Sequence, residues 1–124
     1  MASLVRRASI AGFFVVSGTL LAACGQAGLA GVQQACDHVE RGIRAYDRSI
    51  TTTTTDPVRR QLRATTQREF MAASHFAARA STQNGHWTAF ATSLSEVHRV
   101  GIDSVVPTLR MQCSTIRSGD YYYY

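Results

Sequence analysis

Three cysteines, four histidines and a surplus of arginine are the side chains of this sequence with chemistry to offer. A cysteine thiol can be acylated, paired with a second cysteine or left reactive, and the choice among these governs how Cys24, Cys36 and Cys113 are read. No two of His38, His75, His86 and His98 are three or four residues apart, so no single helix offers a metal-binding pair. A site shared between helices, joining His75 to His98, is the route left to a metal or haem protein, and solvated histidines are the simpler reading. No Ser-His-acid or Cys-His order emerges, and many serines fall at turns or caps. The sequence therefore predicts no catalytic residue and no cofactor.

Cys24 closes a distinctive opening segment. A short basic stretch with Arg6 and Arg7 leads into an apolar run from Ala8 to Ala23. This is the shape of a secretory signal, and at about 16 residues it is shorter than the roughly 20 that span a bilayer as a helix. The run ends in Leu21-Ala22-Ala23-Cys24-Gly25, which resembles the lipobox of bacterial lipoproteins: an aliphatic residue, two small residues and the cysteine to be modified. The resemblance covers the export segment alone. It implies a signal peptide over residues 1–23, a diacylglyceryl group on the Cys24 thiol, and a protein held by that lipid on the extracytoplasmic side of the cell membrane. Two acyl chains, at about 0.8 kcal/mol per buried methylene, anchor stably where one binds reversibly. Cleavage after Ala27 would instead release a soluble protein, and the Arg6-Arg7 pair lacks the rest of a twin-arginine pattern.

With Cys24 acylated, Cys36 and Cys113 remain as an even pair in an oxidising compartment, where a disulfide is the default. Two buried, unpaired cysteines acting as small hydrophobes are the alternative. Roughly 100 residues follow the signal, enough for one small domain whose modest core profits from a staple. All thirteen basic residues are arginine, a bias that points to a GC-rich, actinobacterial genome. Once Arg6 and Arg7 leave with the signal, eleven arginines face eight acids, a formal charge of +3. That is too mild for a nucleic-acid-binding protein. Arg59, Arg60 and Arg63, extended by Arg68 and by Arg41, Arg44 and Arg48, would make a basic surface for anionic headgroups or wall polymers; a plain solvated face is the alternative.

The elements that position these residues are helical. Leu29, Val32, Cys36, Val39, Ile43, Tyr46 and Ile50 alternate steps of three and four, predicting one helix over about 29–50 with a narrow buried stripe. Gly42 flanks that stripe and allows close approach by another helix, while Asp37/Arg41 and Glu40/Arg44 are spaced for support along the helix. The five threonines Thr51 to Thr55 read as a loop, flexible and open to O-glycosylation, before an Asp56-Pro57 helix start. A second helix over about 57–81 buries Val58, Leu62, Phe70, Ala73, Ala77 and Ala80 and turns its arginines outward. Trp87, Phe90, Leu94 and Val97 mark a third helix over about 86–99, more plausibly core than a ligand box. A fourth, over about 103–117, starts at an Asp103 or Ser104 cap with Pro107 in its first turn and stops at Gly119.

Nothing reads as a strand, so the expected fold is all-α: a small up-down-up-down four-helix bundle. In that topology Cys36, near the start of the first helix, and Cys113, near the end of the fourth, lie at the same end and can bond. If the third and fourth helices were instead one continuous rod, making a three-helix bundle, the cysteines would lie at opposite ends. The short linker 24–28 then sets this end against the bilayer, with the threonine loop pointing away. The tail, residues 119–124, carries Tyr121 to Tyr124, whose rings suit a membrane interface. The function implied is a membrane-anchored envelope lipoprotein that binds or scaffolds an envelope partner, with a carrier of a small apolar ligand between the helices as the rival.

Overall fold

The structure, a computed structural model, describes residues 27–120. The export segment, the Cys24 lipidation position and the four terminal tyrosines lie outside the described residues. Helix α1 spans Leu29–Ser49, α2 Asp56–Gln83, α3 Thr88–Ser95, α4 Val97–Val100 and α5 Ile102–Ser118, with a 3-10 turn at Gly85–Trp87. Helices α3 and α4 follow one another across Glu96, whose N–H still bonds the Thr92 carbonyl at 3.0 Å, so together they form the third of four antiparallel rods. No strand occurs among the described residues, and none of their helices is long and apolar enough to cross a membrane.

Helix α1 buries more than the narrow stripe its spacing predicts. Ala35, Gly42, Ala45 and Ser49 are buried beside Val32, Cys36, Val39 and Ile43, because α1 meets α2 on one side and α5 on the other. The stripe also stops early: Ile50 is the C-cap and 55% exposed. Close contact with α2 depends on missing side chains. A Cβ on Gly42 would lie 2.7 Å from the Phe70 ring, which fills that space instead.

Helix α2 starts one residue earlier than predicted, with Thr55 at the N-cap and Asp56 inside the first turn, where its charge suits the helix dipole. Phe70, Ala73, Ala77 and Ala80 are buried as expected, but Val58 is 45% exposed. Thr66, which the apolar pattern does not mark, is buried in their line, and its hydroxyl lies 3.1 Å from the Gly42 carbonyl and 3.0 Å from the Leu62 carbonyl. One polar group thus ties α2 to α1 beside the contact between Gly42 and Phe70.

The fourth rod is capped differently from the prediction. Gly101 (φ 87°) is the N-cap and α5 begins at Ile102, so Asp103 lies in the first turn. Pro107 is consequently beyond the first turn, inside the helix, where its missing N–H removes a bond toward the Asp103 carbonyl. Gly119, in the left-handed region at φ 79°, ends the helix as expected. Between the rods the core is filled by Phe70, Trp87, Phe90, Leu94, Leu109 and the branched residues of α1 and α5.

Candidate functional site

Cys36 and Cys113 are disulfide-bonded, with Cα atoms 5.5 Å apart, and both are buried. Their positions near the start of α1 and the end of α5 meet because these rods are antiparallel. At the same end the indole N–H of Trp87 donates to the Ala27 carbonyl at 3.0 Å. Gly28 (φ 82°) follows at the α1 N-cap, so close to α2 that a Cβ there would sit 2.8 Å from the Ala80 carbonyl oxygen.

Five acids, Asp37, Glu40, Asp47, Glu69 and Asp103, are spent between helices, and Asp56 and Glu96 pair with arginines three residues on. The predicted Asp37/Arg41 and Glu40/Arg44 pairs do not form: Asp37 and Glu40 both pair with Arg117 of α5, and Arg41 pairs with Glu69 of α2 at 3.2 Å. Asp47 pairs with Arg110 at 2.9 Å, Asp56 with Arg59 at 3.0 Å, and Glu96 with Arg99. Asp103 takes two bonds from Arg63, at 2.9 and 3.1 Å, and one from the Tyr46 hydroxyl at 2.8 Å. These bonds hold the Asp103 carboxyl below its ordinary range and push the Arg63 guanidinium up. At Glu69 burial pushes the carboxyl up, but hydrogen bonding with His38 and Arg41, together with their charge, outweighs it and leaves the group below its usual range.

This pairing divides the basic surface expected at Arg59, Arg60 and Arg63. Arg59 is turned into the threonine loop, donating to the Ser49 carbonyl at 3.1 Å and the Thr54 carbonyl at 3.1 Å besides its bond to Asp56. The loop is accordingly a bonded turn, with the Thr54 hydroxyl on the Arg48 carbonyl at 2.7 Å. Arg63 is neutralised on Asp103, and Arg60 alone of the three is exposed without an ion pair among the described residues.

The surplus charge lies elsewhere. Arg44 and Arg48, one turn apart on α1, are exposed and have no ion pair among the described residues. With Arg41 and Ala45 they form one wall of an outward groove of about 540 Å³, whose other wall is Val58, Gln61, Leu62, Thr65 and Glu69 of α2. Arg68, held by one bond to the Thr65 hydroxyl at 3.1 Å, adds a further cation beside that wall. The groove runs on past Arg48, Val58 and Leu62 into a cleft against the threonine loop. Sequence reasoning included Arg44 and Arg48 only as an extension of the basic surface; the signal that picks them out is that every nearby acid has another partner.

The histidines divide as well. His38 Nδ1 lies 2.7 Å from Glu69 Oε2 and 2.8 Å from an Arg41 nitrogen, serving the first as donor or the second as acceptor, and its ring stacks on Phe76 at 5.5 Å. His75 and His98 do face one cleft between the second and third rods, lined also by Met71 and Ser74, with no carboxylate in its walls. No cluster of three or more His, Cys, Asp or Glu residues suited to a metal occurs among the described residues. His86 edges against the Trp87 ring beside an apolar groove between α3 and α5, lined by Phe90, Met111 and Ile116. No family model matches the chain, and comparison with curated proteins and with solved structures returned no significant similarity.

Proposed function

We propose that the chain is exported, cleaved before Cys24 and held through lipid on that cysteine at the extracytoplasmic face of the cell membrane, where its helical domain binds or scaffolds an envelope partner without catalysing a reaction. The observation that carries the anchoring is the run Leu21-Ala22-Ala23-Cys24 behind an apolar segment of export length. Two features support it. The Cys36–Cys113 disulfide belongs to oxidising compartments, and Ala27, three residues after Cys24, is tied by Trp87 to the end of the bundle that carries the disulfide. Three residues reach at most roughly 10 Å, so a lipid on Cys24 would hold that end against the bilayer.

Binding rather than reaction is supported by the way the ionisable groups are used. The acids form structural ion pairs, whereas unpaired arginines gather in the groove between α1 and α2. Mass spectrometry of the intact protein extracted from its own membranes tests the anchoring. The expected species begins at Cys24, carries the mass of a diacylglyceryl group and lacks two hydrogens for the disulfide, and a Cys24→Ala form gains no lipid. An unmodified Cys24, or a mature chain starting after Ala27, would overturn it.

A further inference from the structure

We propose that the groove between α1 and α2 is a docking site for an acidic amphipathic helix of a partner protein. Both walls repeat the spacing of a helix-packing seam. On α1 the groove residues Arg41, Arg44 and Arg48 step by three and four, and on α2 Val58, Leu62 and Thr65 step by four and three. A helix lying in the groove between two antiparallel helices meets such rows at its own i, i+3/i+4 and i+7 positions. The seam covers about two to three turns at 1.5 Å per residue, so the matching segment is roughly 10–14 residues long.

Charge and apolarity together select the occupant. Of the three arginines, Arg41 is matched by Glu69, and Arg44 and Arg48 have no counter-ion among the described residues. The α2 wall facing them carries apolar surface beside Gln61 and Thr65, with Val58 45% exposed and Leu62 partly so. A helix with carboxylates along one edge and leucine-like side chains on its face covers both at once. A linear polyanion would satisfy the arginines and leave Val58 and Leu62 wet. With α1 upright on the anchored end, headgroups of the protein's own bilayer are too distant: Arg44 and Arg48 lie 15 and 19 residues beyond Leu29 along α1, or roughly 22 and 28 Å at 1.5 Å per residue. That last exclusion rests on the lipid anchor at Cys24; the charge and spacing arguments do not.

The test uses the full chain, both lipidated in detergent and as Cys24→Ala. Its probes are fluorescent 14-residue peptides with leucines at a and d positions and glutamates flanking them, each compared with an isomer of the same composition in scrambled order. Anisotropy at low salt is expected to show the patterned peptides binding at least tenfold tighter than their isomers. Arg44→Ala with Arg48→Ala removes that preference, and Arg79→Ala, at an exposed position toward the other end of α2 with no ion pair among the described residues, leaves it intact. Circular dichroism of the double variant checks that the fold is retained. Equal binding of patterned and scrambled peptides, or binding indifferent to Arg44 and Arg48, overturns the proposal. So does inorganic polyphosphate that binds in an Arg44- and Arg48-dependent way where no patterned peptide does. Arginine-dependent peptide binding by a chain whose Cys24 carries no lipid leaves this proposal standing while the anchoring fails.

Discussion

The indole N–H of Trp87 donates to the carbonyl of Ala27 at 3.0 Å, joining the third rod to the residue before the α1 cap. The chain beyond that bond is held as tightly. Gly28 adopts φ 82° and has the Ala80 carbonyl oxygen 2.8 Å from where a Cβ would stand. The approach to α1 is therefore a fixed part of the bundle. For an anchor at Cys24, the end of the bundle that carries this bond would be the end held nearest the membrane.

Gly28→Ala is expected to destabilise the domain. The left-handed backbone alone costs an L-residue on the order of 1 kcal/mol, and the collision is with backbone rather than with a movable side chain. The thermal midpoint of the variant should fall by several degrees. An unchanged midpoint would show that the approach to α1 is not held as described.

Reduction of the Cys36–Cys113 bond should cost much more. The bridge closes a loop with a sequence separation of 77, and the chain-entropy relation assigns such a loop about 4 kcal/mol. That is a large share of the 5–15 kcal/mol typical of a folded domain. Urea unfolding with and without a reductant should show a marked drop in midpoint. Coincident curves would mean that packing alone carries the fold.

At Gly42 two effects compete. Alanine is favoured over glycine in a helix by about 1 kcal/mol, but its Cβ would stand 2.7 Å from Phe70, a ring buried to 1% exposure and unable to move aside. Overpacking of this kind costs about 1–3 kcal/mol, so Gly42→Ala is expected to be net destabilising, and Phe70→Leu in the same chain should recover part of the loss. Denaturant midpoints of the single and double variants decide it.

The helical periods made the bundle legible: Val32, Cys36, Val39 and Ile43 declare one face, and the cysteine positions select the antiparallel order that brings 36 to 113. What sequence spacing could not show is which charges meet. Asp103 finds Arg63 across 40 residues and Arg117 finds Asp37 across 80, whereas local spacing favoured neighbours on the same helix. Thr66 escaped for a related reason: a hydroxyl reads as polar until its acceptors, the Gly42 and Leu62 carbonyls, are in place. The arginine groove was hidden likewise. Arg44 and Arg48 look like any arginines of a polar face until the acids around them are seen to be taken.

Those cross-helix acids set the pH dependence of stability. Asp103, held by Arg63 and Tyr46, loses its proton more readily in the folded chain than in the unfolded one. So does Glu69, where the bonding with His38 and Arg41 outweighs burial. The unfolded chain therefore binds protons first as the pH drops through the ordinary carboxylate range near 4. The stability these groups contribute is complete at pH 6 and declines as the pH falls through 4 toward 3. Urea midpoints measured at pH 6, 4 and 3 should drop more steeply for the wild type than for a Glu69→Gln, Asp103→Asn chain, whose two sites no longer titrate. Both side chains are partly open to solvent, so screening keeps the effect modest and salt should shrink it further. Parallel curves for the two chains would show that neither pair is linked to folding.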